Sequence, residues 1–215
     1  MNTSLKIRKL RMLLLGLLVA ANNFHSVFAS TVLSMDIDEL AAEAELIFEG
    51  EVLQHSSQLE AASGIINTYV TFAVFDVVKG DYSGQQLELK FAGGTINGET
   101  VEISGLILPR VGEQGIYFVE SMSRSLINPL LGWSQGHYLI IEENGERLVN
   151  TVSESPVTDV RPVANIPRTI RKPQTIVESD TDAAFGVITD VSALGIEKAL
   201  TAEEFKDRIQ QLIRQ

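Results

Sequence analysis

The sequence of 215 residues contains no cysteine. This absence excludes disulfide bonds, thiolate nucleophiles, cysteine-ligated zinc and a lipid attached through cysteine. The protein therefore has to be held together by its apolar core, which a domain of more than about 100 residues can do.

Histidine is also scarce, because only His55 and His137 lie outside the first thirty residues. Zinc sites usually take three or four nitrogen, sulfur or oxygen ligands, and the H-E-x-x-H motif is missing. The phosphate-binding patterns of the P-loop and of G-x-G-x-x-G are missing as well. The sequence therefore predicts no metal centre and no cofactor.

Basic residues are outnumbered, since 17 Lys and Arg face 28 Asp and Glu. The first 29 residues hold four of the basic residues and no acidic one, which leaves residues 30–215 with a net charge of −15. Nucleic acids and anionic lipids require a basic surface. This charge therefore argues against both as partners.

No apolar stretch near the start of the sequence is long enough to span a membrane, which takes about twenty residues. The apolar run at residues 12–21 has ten. Four basic residues precede it, and Val27, Phe28 and Ala29 come directly before Ser30. This order is typical of a secretory signal peptide at residues 1–29, with an uncleaved anchor or a buried helix as the alternatives. We expect a periplasmic or secreted bacterial protein with no transmembrane span after removal of the signal.

Short runs of β-branched and aromatic residues follow, separated by turn sequences such as Asn97-Gly98. Residues 69–78 are apolar on both faces, which places them centrally in a sheet. The strands expected from these patterns are residues 46–54, 69–78, 86–91, 100–103, 115–119, 137–142 and 147–152. This spacing predicts a mainly β fold, a small OB-like barrel.

Two helices are expected beside the barrel. Asp36 with Glu39, and Thr201 with Glu204, have the spacing of the capping box that begins a helix. The C-terminal helix is amphipathic, and its apolar stripe suits packing on the barrel or on a partner: Phe205, Ile209, Leu212 and Ile213.

The chain is therefore divided into four parts. Residues 1–29 are the signal peptide, residues 30–152 the barrel domain, residues 153–199 a proline-containing extended connection, and residues 200–215 the C-terminal helix.

The sequence from Gly132 to Gly136 matches G-x-S-x-G, the serine nucleophile elbow. That motif needs a strand before Ser134, a helix after it and a histidine downstream. Here a loop precedes Ser134, a strand follows it, and His137 is the only histidine beyond it. We therefore favour a structural turn over a catalytic serine.

The acidic pair Glu49 and Glu51 lies on one face of the first predicted strand of the sheet. Carboxylates that hydrolyse glycosides are held at a set separation in a cleft, and no cleft is indicated here. We interpret the pair as a solvated face.

Five short stretches of the strand region resemble a widespread bacterial exported family of unknown activity: residues 40–52, 75–80, 92–94, 108–113 and 134–138. Their order is also similar to that of netrin-like and tissue-inhibitor-of-metalloprotease-type domains, which are OB-type barrels. The inhibitors chelate the protease zinc through an N-terminal cysteine, which this chain lacks. Glu45 stands where the pattern has Asp, and the resemblance implies no functional residue.

The leading hypothesis is an exported, non-enzymatic binding or accessory module whose partner is an exported protein or a cell-envelope component. OB-type barrels often bind ligands with their loops, and a tryptophan is a favoured anchor of interfaces. The candidate binding residues lie in or beside the loops at residues 92–97 and 124–133: Gly93, Gly94, Asn97, Trp133 and His137. The alternatives are a periplasmic serine hydrolase that uses Ser134 with His137, and a protease inhibitor that acts through a loop.

Overall fold

The computed structural model describes residues 31–61, 63–163, 173–175, 183–189 and 198–214. The predicted signal peptide lies outside these residues. The strands are β1 (Thr31–Leu33), β2 (Leu46–Glu60), β3 (Ile65–Lys79), β4 (Gln86–Ala92), β5 (Gly94–Ile96), β6 (Glu99–Val101), β7 (Gln114–Val119), β8 (His137–Glu143), β9 (Glu146–Thr151), β10 (Val157–Val160), β11 (Pro173–Thr175) and β12 (Val187–Thr189). The helices are α1 (Ile37–Glu43), a 3₁₀ turn (Trp133–Gly136) and α2 (Ala202–Ile213). The fold is therefore mainly β.

Six strands form one antiparallel sheet in the order β4-β3-β2-β7-β8-β9. β3 has a neighbour on each side, as its two apolar faces predict. The remaining strands form three small pairs, β1 with β11, β5 with β6, and β10 with β12. β10, β11 and β12 therefore lie within the stretch that was expected to be an extended connection.

The expected closed barrel is not found in the part of the chain that the structure describes. β4 and β9 are the two edges of the sheet and do not pair with each other. The outer edge of β9 instead meets single residues, through bridges from Leu148 to Thr201 and from Asn150 to Pro156. One face of the sheet is buried by the helices, so the sheet does not have to close on itself to cover that face.

Each face of the sheet has its own apolar core, because successive side chains of a strand point to opposite faces. Ile47 and Phe118 lie on the face that α1 and α2 cover. Phe48 and Tyr117 are their neighbours in sequence and lie on the other face, where Phe72 packs against both rings at centroid distances of 5.4 and 4.8 Å. The sheet is therefore the middle layer of the molecule.

The two helices begin differently. Asp36 stands at the N-cap of α1 without a side-chain hydrogen bond to the helix, so the first expected capping box is not formed. Thr201 and Glu204 do form the reciprocal capping box at the start of α2.

Among the described residues, no helix is long and apolar enough to cross a membrane.

α2 packs against the sheet through its apolar stripe. Phe205 and Ile209 are fully buried, and the Phe205 ring lies 4.8 Å from the ring of Tyr138 in β8. Ile213, near the end of the stripe, remains 36% exposed. The helix thus completes the core on its face of the sheet.

Candidate functional site

A cleft opens inside the sheet where β7 and β8 part. Their pairing ends at Gly115 and Leu139, but β8 continues to Glu143, and there β9 is its only neighbouring strand among the described residues. The segment that precedes β7 turns away, and a cavity of about 480 Å³ lies between residues 110–114 and residues 139–142. We call this space the β7–β8 cleft. Its volume falls within the range of small-ligand pockets, about 300–1,000 Å³.

A turn in the sequence explains why the strands part. Gly112 has a φ of 83°, a conformation that suits glycine, and its N–H donates to the carbonyl of Val52 in β2. The N–H of Val52 in turn donates to the carbonyl of Glu113. These two hydrogen bonds hold the segment against β2, so residues 140–143 of β8 have no strand on that side among the described residues.

The backbone of β8 is therefore available at the cleft. In an antiparallel ladder, hydrogen-bonded and non-hydrogen-bonded pairs alternate, so every second residue of β8 directs its N–H and C=O away from β9. Beyond Leu139 these groups face the cleft. An unpaired edge of this kind is the surface to which extended peptides add as a further strand.

Charged side chains surround the cleft. Arg110 and Glu113 stand on the turn, Glu142 on β8, Arg147 on β9, and Glu154 on the connection after β9. Arg147 forms an ion pair with the buried carboxylate of Glu49. The side chains of Arg110, Glu142 and Glu154 are exposed, and within the described ranges they have no ion-pair partner.

Glu113 is the most firmly held of these groups. Its Oε1 lies 2.7 Å from Nε2 of His137, and the Tyr117 hydroxyl donates to the same oxygen at 3.4 Å. Burial, together with the charge of Glu113 and this hydrogen bond, raises the pKa of Tyr117 well above its usual value. The His137 ring is buried against Tyr117, and its Nδ1 has no hydrogen-bond partner among the described residues. His137 therefore holds the side chain of Glu113, which lines the cleft, in place.

A second charged cluster lies beneath α2. Lys206 is only 5% exposed, and its Nζ lies 2.7 Å from Glu49, 2.8 Å from Asp76 and 2.9 Å from Glu203. Burial lowers the pKa of Lys206, but the hydrogen bonds to these carboxylates outweigh it and raise the pKa. The interpretation of Glu49 as a solvated residue was wrong. Glu49 is 3% exposed because α2 covers its face of the sheet.

Three of the predicted binding residues shape the β4–β6 region. Gly93 and Gly94 have φ values of 91° and 133°, and the carbonyl of Gly93 accepts a 2.8 Å hydrogen bond from the Thr68 hydroxyl. Asn97, with a φ of 52°, and Gly98 form the two-residue turn between β5 and β6. The positive φ angles required at these turns explain why these residue types occur there.

Trp133 lies elsewhere, at the first position of the 3₁₀ turn with a φ of 60°. It is partly buried and borders a shallow cavity of about 250 Å³ together with Leu33, Met35 and acidic residues of α1. His137 is buried and does not line the β7–β8 cleft, but it contacts Glu113, which does. The structure thus distributes the predicted binding residues over three places.

Ser134 is buried in the same 3₁₀ turn, and β8 follows it directly. The side chains of Ser134 and His137 form no hydrogen bond in the described part of the molecule, since His137 faces Glu113 instead. A nucleophile elbow requires a helix after the serine and a base within reach. The observed arrangement has neither at this position.

Sequence reasoning missed Arg110, Glu113, Glu142 and the edge of β8. The cleft depends on where the pairing of β7 with β8 ends, and no local pattern carries that register. The Pro109–Gly112 turn is the one visible signal that the chain changes direction before β7. In the described ranges there is no group of three or more histidine and acidic side chains that could hold a metal ion.

Comparisons with known proteins add no further constraint. No match was found to known protein families, to curated proteins or to solved structures. The candidate site therefore has to be judged by its own geometry.

Proposed function

We propose that the chain is an exported, non-enzymatic binding module and that the β7–β8 cleft is its binding site. The ligand is an extended segment of an exported protein or cell-envelope component. It adds as a strand beside residues 140–143. One observation carries the proposal. Residues 140–143 of the interior strand β8 have no neighbouring strand on the β7 side among the described residues, and they face a cavity of about 480 Å³.

Export is part of the proposal and rests on the signal-like order of residues 1–30. The kinship with netrin-like and inhibitor domains remains a prediction, and it carries none of the argument. An OB-like relationship likewise rests on sequence alone.

The cleft favours binding over the alternative of a serine hydrolase. Among the described residues, His137 faces Glu113 and forms no hydrogen bond with Ser134, whereas the cleft offers an open backbone edge and exposed charges. No observation favours the loop-based protease inhibitor.

Selection from a phage-displayed library of random peptides tests this function. Enriched peptides should cross-link to a benzophenone amino acid placed at Val111, an exposed residue of the cleft. The matched control is the same amino acid at Leu59, which is 58% exposed near the tip of the β2–β3 hairpin. Failure to enrich any peptide, or equal cross-linking at both positions, would contradict the proposal.

A further inference from the structure

We infer that the segment bound in the β7–β8 cleft combines apolar side chains beside Ile140 and Ile141 with a lysine or arginine beside Glu142. This inference rests on the proposed function and adds the chemistry of the ligand. The inference has two grounds. Some charges at the cleft are already compensated and others are not, and the apolar and acidic side chains follow a set order along β8.

The charge balance of the cleft comes first. The guanidinium of Arg147 is bound to Glu49, so its charge is already compensated. Glu142 and Glu154 carry no ion pair in the described ranges, and they outnumber Arg110, the remaining cation that lines the cleft. The chain as a whole has a net charge of −11, which adds a long-range attraction for cations. An acidic segment would meet repulsion from both sources.

The order of apolar and acidic side chains along β8 then sets the pattern of the ligand. Ile141 and Glu142 are neighbours in sequence, so their side chains point to opposite faces of the sheet. A strand added beside β8 places one of its residues next to each of them. Opposite charges on adjacent strands attract, and apolar side chains pack, so basic residues suit Glu142 and Glu143, and apolar residues suit Ile140 and Ile141.

The cleft is long enough for such a segment. The unpaired stretch from residue 140 to residue 143 spans four residues, or roughly 13 Å at about 3.3 Å per residue. Two side chains of the ligand therefore fall on each face. Arg110, on the opposite wall, then discourages a ligand that is basic at every position.

The test compares three synthetic peptides of the same length, in which pairs of valines are followed by pairs of lysines, glutamates or glutamines. Affinities are measured by fluorescence polarisation with the full mature chain at two salt concentrations. We expect the lysine peptide to bind at least about tenfold more tightly than the glutamate peptide. The difference should shrink at high salt because exposed charges are screened.

Charge-reversal variants localise the effect. Glu142→Lys with Glu154→Lys should reverse the preference, because both side chains are exposed at the cleft. The matched control, Glu88→Lys with Glu99→Lys, changes the net charge equally at exposed positions of β4 and β6. It should keep the preference for lysine.

Two outcomes overturn the inference in distinguishable ways. Equal binding of all three peptides, with cross-linking at Val111, would remove the basic requirement and leave the proposed function standing. Binding of none of them, together with failure of the library selection, would remove both. If both double variants change the preference for lysine equally, the preference arises from the overall charge of the protein. The inference would then be wrong.

Discussion

Lys206 and Glu49 show how single residues stabilise this fold. Each is less than about a tenth exposed, and their charged atoms lie 2.7 Å apart between α2 and the sheet. A buried ion pair gains little over an apolar pair of the same size, but the loss of one partner leaves a buried charge uncompensated. The sequence did not reveal this pair, because its two members are 157 positions apart in the chain.

In Lys206→Met, Glu49 keeps its ion pair with Arg147. The variant should therefore destabilise the protein by about 2–3 kcal/mol, at the low end for a broken buried pair, measured by urea unfolding at neutral pH. Because the pKa of Lys206 is raised in the folded state, its contribution is complete below the ordinary lysine pKa of about 10.4. The contribution is lost as the pH rises through the folded-state pKa.

Arg124→Met is the control for Lys206→Met, because Arg124 pairs with Glu120 at the surface. Its effect should stay below about 0.5 kcal/mol. Equal losses from the two variants would show that Lys206 is not the buried partner of Glu49.

Elements differ in how far sequence determines them. The alternation of β4 and the capping box of α2 are local patterns, and the structure has both. The register between β7 and β8 is not local, because it depends on the hydrogen bonds that Gly112 donates to Val52 and that Val52 donates to Glu113. The open form of the sheet is non-local as well, since it depends on the helices that cover one face. The cleft could therefore not be predicted.

The packing of α2 gives a test at this scale. Ile209→Ala should cost about 2–5 kcal/mol of the free energy of unfolding, because Ile209 is fully buried against the sheet. Ile213→Ala, one turn later and 36% exposed, should cost about 0.5 kcal/mol. Thermal or urea unfolding of both variants measures the difference. A negligible loss for Ile209→Ala would mean that α2 does not pack internally.

At the scale of the whole molecule, an acidic protein is built around one sheet with a core on each face. Within the described residues, β8 is unpaired on one side at the cleft, as are the ends of β2 and β3 beyond their pairing with β7 and β4, whereas β9 is partly covered by residues 156 and 201. A natural protein usually protects such an edge. The exposed charges at the cleft discourage self-association and are compatible with a specific partner.

Export can be tested by the mass of the product. The chain produced in a bacterial host should be recovered from the periplasm or medium without residues 1–29, beginning at Ser30. Intact mass spectrometry distinguishes the processed chain from the full one. Recovery of the unprocessed chain from the membrane would contradict export as a soluble protein.

The central claim is that a ligand joins the sheet beside β8. Nuclear Overhauser effects between an isotope-labelled protein and an unlabelled bound peptide measure this pairing directly, because backbone protons of adjacent strands approach closely. We predict intermolecular effects from the backbone of residues 140–143 in the pattern of a strand ladder, with none from the tip of the β2–β3 hairpin. Intermolecular effects confined to the loop at residues 92–97 or to Trp133 would contradict the account.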